Sequence, residues 1–354
     1  MEVRCLLLMA VLLPTWPTSH GEEARPLIPA VMVFGDSLVD VGNNDYILTI
    51  GKANLPPYGR DFKDRVPTGR FRNGKLMIDI IAEKLGFTAS PPAYLSPEAS
   101  GLNLLMGANF ASGGSGYYDP TARIANVISL SQQLEYFREY QSRLAALAGH
   151  SYTNSTISSS LYIIAAGTSD LGANYNINPL LYKTQTADQF SDSLIGSFQK
   201  TVMQLYDMGA RRIGVTSLPP LGCLPLAITV FGHGSNSCVP RLNRDAQMFN
   251  RKLDTVIDSL STLYHDLRIM ALDIYTPLYS LATSPGSQGF TEARRGCCGT
   301  GLVEFTVLLC NPMSIGTCPN ATTYVFWDAV HPSEAANQMI VDSFLPKIIA
   351  NLTT

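Results

Sequence analysis

Four short apolar runs, "AVMVFG", "SLYIIAAG", "RRIGVTSL" and "LRIMALDIY", recur along the chain, each rich in β-branched residues and each ending in polar or Gly/Pro turn chemistry. Uninterrupted apolar runs of this length suit strands buried on both faces, the position of a strand in a helix-covered parallel sheet. Longer amphipathic stretches separate them: "NGKLMIDIIAEKLG", "SLSQQLEYFREYQSRLAALAG", "FSDSLIGSFQKTVMQLYDMG" and the segment from Arg241 to Leu267. Their apolar residues return at helical spacing, and the first three stop at glycine. A weaker strand is expected in "GANFASG", where Asn109 and Phe110 precede a glycine-rich turn. Alternating strands and helices predict an α/β fold, a three-layer α/β/α sandwich around a mainly parallel sheet.

At 354 residues and 46% hydrophobic, the chain can bury a sizeable core, which excludes disorder as its main theme. It shows no repeat and no low-complexity linker. The Pro/Gly-rich stretches "ANLPPYGRDFKDRVPTGRF" and "SPGSQGFTEARRGCCGTG" are read as long surface loops, because helix and strand signals resume on both sides. One domain over residues 22–354 is expected, with small helices or a lid carried on those loops. The formal charge of −3 comes from mixed signs without a long basic run, which argues against nucleic acid as a partner.

Residues 1–21 read differently. Arg4 precedes "CLLLMAVLL", Pro14 closes that block, and Ser19 and Gly21 supply small residues for cleavage, the pattern of a secretory signal peptide. The block falls short of the roughly 20 apolar residues of a membrane span, and no later segment approaches that length. A secreted, extracellular chain is therefore expected. Removal of Cys5 leaves Cys223, Cys238, Cys297, Cys298, Cys310 and Cys318, an even set for which disulfides are the default after export. Adjacent Cys297 and Cys298 would be strained if joined to each other, so each is expected to find a more distant partner. Cys223–Cys238 is the first pairing expected, and a loop of that size contributes about 3 kcal/mol in the chain-entropy model. Zinc is the competing reading, disfavoured because paired CxxC knuckles are missing. Asn154, Asn320 and Asn351 each begin an N-x-S/T sequon and are candidate glycan sites.

Two segments carry the chemistry. "FGDSLVDVGNND" turns abruptly polar after the first apolar run, setting Ser37 at a strand end, where a doubly wound sheet presents its reactive groups. A plain strand stop would use the same residue types. "FWDAVHPSEAANQMI" places Asp328 three residues before His331, ahead of a helix with Pro332 near its start. His150 and His233 lack so close an acidic neighbour. A nucleophilic serine needs an imidazole to take its proton and a carboxylate to orient that imidazole, and Ser37, His331 and Asp328 supply this set. The GxSxG elbow of common α/β-hydrolases is missing, which predicts a different scaffold.

The ordered series "FGDSLVDVGNND", "PPYGRDF", "PTGRFRNGK", "GANFASGGSG", "IIAAGTSD", "GARRIGVTSLPPLGCLP", "RRGCCGTG", "LCNP" and "FWDAVHPSEAAN" resembles the GDSL subgroup of SGNH hydrolases, specifically the secreted plant GDSL esterase/lipases. The resemblance spans nearly the whole mature chain. It implies a five-stranded flavodoxin-like sheet, with Ser37 as nucleophile, His331 as base and Asp328 as its partner. It also implies an oxyanion hole built from the Ser37 N–H, a glycine N–H and an asparagine side chain. Gly113 is the glycine expected, or Gly114 if the register shifts by one. Where the family commonly has GxND this chain has "GTSD", so Ser169 takes the asparagine's place, with Asn174 and Asn176 close behind it.

The resulting expectation is a cofactor-independent, metal-free hydrolase of lipid, acyl or acetyl esters, acting on small-molecule esters or acylated glycans through an acyl-enzyme. An acyltransferase would use the same residues and pass the acyl group to an alcohol. A non-catalytic secreted protein that binds lipid or glycan is the alternative from another class.

Overall fold

The computed structural model describes residues 26–299, 310–312 and 316–353. The segment expected to be a signal peptide, residues 1–21, lies outside the described residues. Strands β1 (Val31–Gly35), β2 (Gly107–Asn109), β3 (Leu161–Ala165), β4 (Arg212–Thr216) and β5 (Arg268–Leu272) form one parallel sheet in the order β2-β1-β3-β4-β5. β1 and β3 are buried along their whole length, as their uninterrupted apolar sequences require. β5 lies at an edge and begins on exposed Arg268. The weak run "GANFASG" supplies β2, only three residues long, at the other edge.

Helices cover both faces. Met77–Lys84 packs against Glu334–Leu352, which also reaches β4 and β5, while Leu130–Ala148 reaches β1 and Ala187–Asp207 packs against Pro240–Leu263. Apart from Glu334–Leu352, the helix expected after His331, these are the amphipathic stretches anticipated from the sequence. Ser129 and Thr186 cap two of them by accepting from Gln132 and Gln189 N–H groups, and Ser333 caps the last by accepting from Ala336. The interior is aromatic around Phe34, Phe110 and Phe137, with Phe34 and Phe110 stacked at 5.0 Å.

The part of "SPGSQGFTEARRGCCGTG" that the structure describes, residues 284–299, is not simply a surface loop. Glu292–Gly296 forms β6, which pairs in parallel with β7 (Tyr324–Phe326) in a separate two-stranded sheet. A second small core lies beside it, containing Tyr58, Phe71, Trp327 and four half-cystines. Its alternating charged residues hid this strand, because the neighbour that pairs with it lies some thirty residues away in sequence. Cys223 joins Cys238, Cys297 joins Cys318 and Cys298 joins Cys310. The first is the pairing anticipated, and the adjacent cysteines do take separate partners. Among the described residues no helix is long and apolar enough to cross a membrane.

Candidate active site

β1 has β2 on one side and β3 on the other, so the chain leaves the sheet in opposite directions from neighbouring strands and opens a crevice at their carboxyl ends. The three loops that begin there hold Ser37 after β1, Gly113 and Gly114 after β2, and Ser169 after β3. The first loop crosses tightly over β3. A Cβ on Gly35 would lie 1.9 Å from the Ala165 carbonyl oxygen, and Gly35 has φ +133°, so this position requires glycine. Gln133 fixes the same residue by accepting from its N–H at 2.8 Å and donating to its carbonyl at 2.9 Å.

Asparagines and an aspartate from the opening motif brace the loops. Asn43 Nδ2 donates to the Asn109 and Ala111 carbonyls, both at 2.8 Å, and Asn44 Nδ2 donates to the Gly51 carbonyl at 2.7 Å and the Gly113 carbonyl at 2.9 Å. Asp40 accepts from the Gly42 and Asn43 N–H groups through Oδ1 and from the Gly113 N–H through Oδ2, each at 2.8 Å. These side chains satisfy backbone groups that irregular buried loops leave without ladder partners.

The C-terminal turn brings the other two residues to Ser37. Ser37 Oγ lies 2.8 Å from His331 Nε2, and His331 Nδ1 lies 2.7 Å from Asp328 Oδ2. Asp328 Oδ1 accepts from the Val330 and His331 N–H groups, each at 2.8 Å, which sets the turn that the three-residue spacing suggested. Both Asp328 and His331 are buried, while Ser37 is partly exposed. Burial pushes the Asp328 carboxyl upward, but the adjoining His331 and the hydrogen bonds from His331 and Val330 together outweigh it and hold the group below its usual range.

Sequence reasoning missed Tyr58. Its hydroxyl donates to Asp328 Oδ2 at 3.0 Å, and burial, then the Asp328 charge, push the phenol well above its usual value, so it remains a donor. Tyr58 stands in "PPYGRDF", part of the ordered series of motifs, but no spacing rule connects it to a residue 270 positions away. Also missed was the disulfide-bearing core behind the Asp328 turn. The Cys297 N–H donates to the Phe326 carbonyl at 3.0 Å and the Cys298 N–H to the Trp327 carbonyl at 2.6 Å, so the cystine segment holds the end of β7 and the residue that leads into Asp328.

Ser37 and His331 open onto a cavity of about 620 Å³, lined largely by apolar side chains including Phe71, Ile124, Val127, Ile177, Leu224 and Leu226. Gly113, Gly114, Ser169 and Asn174 also line it. The Gly113 N–H is engaged by Asp40, whereas the Gly114 N–H and the Ser169 hydroxyl have no hydrogen-bond partner among the described residues. Asn174 Nδ2 donates to Thr121 Oγ1 at 2.9 Å, and Asn176 turns away from the cavity to accept from Arg241 at 3.0 Å. Asn154, Asn320 and Asn351 are all exposed on the surface.

Residues 31–344 match the family model described as GDSL-like lipase/acylhydrolase. The chain is 57% identical over 319 residues to the GDSL esterase/lipase APG of Arabidopsis thaliana, with 90% of each chain covered. It is also 57% identical over 326 residues to the GDSL esterase/lipase At5g22810 of the same plant, covering 91% of this chain and 90% of the relative. An acetylxylan esterase from Geobacillus stearothermophilus aligns in structure over 90% of this chain and 94% of its own, at 11% identity and a TM-score of 0.41. A match that runs from β1 into the last helix, with more than half of the residues shared with two curated relatives, places the chain in the GDSL-like lipase/acylhydrolase family of serine esterases.

Proposed function

We propose that the protein is a secreted carboxylic ester hydrolase that works through an acyl-enzyme on Ser37. The observation that carries this reading is the continuous hydrogen-bonded chain from Ser37 Oγ through His331 to Asp328 on the wall of an apolar cavity. Ser37 Oγ attacks the ester carbonyl carbon while its proton passes to His331 Nε2, and Asp328 stabilises the imidazolium. The tetrahedral intermediate collapses, the bond to the alkoxy oxygen breaks, and His331 returns the proton to the departing alcohol. Water then adds to the acyl-enzyme with His331 again as base, releasing the acid and restoring Ser37.

The developing oxyanion would be held by the N–H groups of Ser37 and Gly114 with the Ser169 hydroxyl. Gly114 is favoured over Gly113 because the latter's amide already serves Asp40. The apolar lining favours the acyl chain as the bound part of the ester. Three disulfides and three exposed sequons support export and glycosylation.

Fluorophosphonate labelling combined with turnover of aryl esters of graded acyl length tests the reading. Wild-type protein is expected to label and to hydrolyse, and Ser37→Ala to do neither while keeping its circular dichroism spectrum. Undiminished labelling of Ser37→Ala would remove Ser37 from the mechanism. A wild-type chain that neither labels nor turns over any ester would favour the binding-protein alternative.

A further inference from the structure

A second cavity, of about 1070 Å³, lies behind the Ser37 loop and shares no lining residue with the first. That loop is the wall between them. Asn44 bonds to the Gly51 and Gly113 carbonyls, whose residues line the first cavity, while Gly42, Asp45 and Tyr46 line the second. Part of the second lining is already paired within the protein. Arg70 donates to Asp79 Oδ1 at 2.7 Å and to Oδ2 at 2.9 Å, and Asp79 also accepts from the Leu76 N–H and the Ser90 hydroxyl. Lys75 pairs with Glu83 at 2.6 Å.

Other groups on the same lining are not. Asp45 Oδ1 and the Ser96 hydroxyl, the latter on a side chain only 9% exposed, are buried without a hydrogen-bond partner among the described residues. Buried polar atoms of this kind call for a partner. The Asp45 carboxylate has room to turn. A Cβ on Gly69, at φ +83°, would lie 2.8 Å from Asp45 Oδ2, so glycine keeps that space open, and the side-chain torsion that swings the carboxylate is soft. Tyr46 is 51% exposed beside it. Burial, then the charges of Glu98 and Asp45, raise the Tyr46 phenol, which places these three side chains at one end of the cavity. Neither Asp45 nor Glu98 forms an ion pair among the described residues.

The lining selects the chemistry of an occupant. Among the described residues it carries six carboxylates against three basic side chains, so its field repels anions, and its charged groups disfavour an acyl chain. No cluster of His, Cys, Asp and Glu among the described residues is placed to hold a metal ion. The open groups are instead acceptors without donors, next to the rigid faces of Tyr46, Phe62, Pro67 and Pro92. A pyranose supplies hydroxyl donors on its edge and C–H groups on its face, which matches both. We propose that this cavity is a binding site for an uncharged oligosaccharide, with a sugar ring against Tyr46 and its hydroxyls donating to Asp45 and Glu98. The site stands apart from the ester-hydrolase reading, because it takes the sugar whether or not an acyl group is attached.

Titration calorimetry of the wild-type mature chain with unacylated cellohexaose, xylohexaose, hexagalacturonate and tetralysine tests the site. At least one of the two neutral hexasaccharides is expected to bind, and hexagalacturonate to bind about tenfold or more weaker. Tyr46→Ala and Glu98→Gln should each weaken the neutral sugar about fivefold or more, through the lost ring face and the lost charged acceptor. Both variants should keep the wild-type circular dichroism spectrum and a kcat/KM on p-nitrophenyl butyrate within about twofold, since neither residue touches the Ser37 cavity. No binding of either neutral hexasaccharide, or binding that both variants leave unchanged, would overturn the proposal. Tighter binding of hexagalacturonate or of tetralysine than of the neutral sugars would do the same, the latter pointing to a basic peptide. None of these probes carries an ester, so a chain that binds the sugar but leaves p-nitrophenyl butyrate intact retains this site and loses the hydrolase reading.

Discussion

Asp40 accepts the Gly113 N–H through Oδ2 at 2.8 Å while its Oδ1 holds two amides of its own loop, so a single carboxylate couples the Ser37 loop to the glycine loop after β2. Asp40→Asn keeps the shape but offers only one accepting oxygen. One of these buried amides loses its acceptor, at a cost of about 1–3 kcal/mol. The variant should melt lower and show reduced kcat, because Gly114 would no longer be held in place. Thermal melts and ester kinetics at one pH check this, and an unaltered kcat with lowered stability would confine Asp40 to a structural role.

Ser169 stands where resembling enzymes carry an asparagine, and its hydroxyl, at the cavity wall, has no partner among the described residues. Ser169→Ala should leave stability unchanged and lower kcat, because the missing donor would act only as charge develops on the oxyanion. Ser169→Asn should raise kcat with little change in KM, a well-placed donor being worth roughly 2.7–4 kcal/mol in the transition state. If both variants match wild type in kcat, position 169 has no part in the oxyanion hole.

Asp36, next to Ser37, is fully buried, with Oδ1 accepting from the Leu38 N–H and Oδ2 without a partner among the described residues. Burial, reinforced by Asp170 and Asp40, pushes its carboxyl up to about 7. A raised folded-state value means that the native chain binds the proton more tightly than the unfolded one. This group's contribution to stability is therefore lost as pH rises from about 4 to about 7 and stays lost above that. Asp36→Asn should flatten this part of the stability curve and stabilise the protein at pH 8 by about 1–4 kcal/mol. Urea melts of both proteins from pH 4 to pH 8 give the comparison, and parallel curves would contradict it.

Tyr58 donates to the same Asp328 oxygen that faces His331 Nδ1. Tyr58→Phe removes one donor from a buried carboxylate, a loss of about 1–3 kcal/mol, and shifts Asp328 toward a higher pKa. The variant should fold and show an acidic limb of its kcat/KM profile altered relative to wild type. Identical pH profiles would show that the Tyr58 bond contributes to packing alone.

The cystine core behind the Asp328 turn leads to a further expectation. Replacing both Cys298 and Cys310 by serine opens a bridge across 12 residues and should cost about 2–4 kcal/mol of stability. Because the Cys298 N–H holds the Trp327 carbonyl, kcat should fall with it even below the melting temperature. A double variant with lowered melting temperature and full kcat would separate the cystine from the site.

The parallel sheet, its major helices, Ser37, and the Asp328–His331 turn were legible in the sequence because each depends on local patterning. Apolar runs specify buried strands, helical spacing specifies amphipathic faces, and a three-residue spacing is enough to join a carboxylate to an imidazole in one turn. Even the Cys223–Cys238 pair follows from proximity in sequence. What only the tertiary structure decided depends on contacts between distant segments. β6 forms because β7 returns beside it, Tyr58 reaches Asp328 from 270 positions away, and Asp40 rather than an oxyanion takes the Gly113 amide. A glycine in a turn announces its flexibility in sequence, but which acceptor its N–H faces is settled by how three neighbouring strand ends pack.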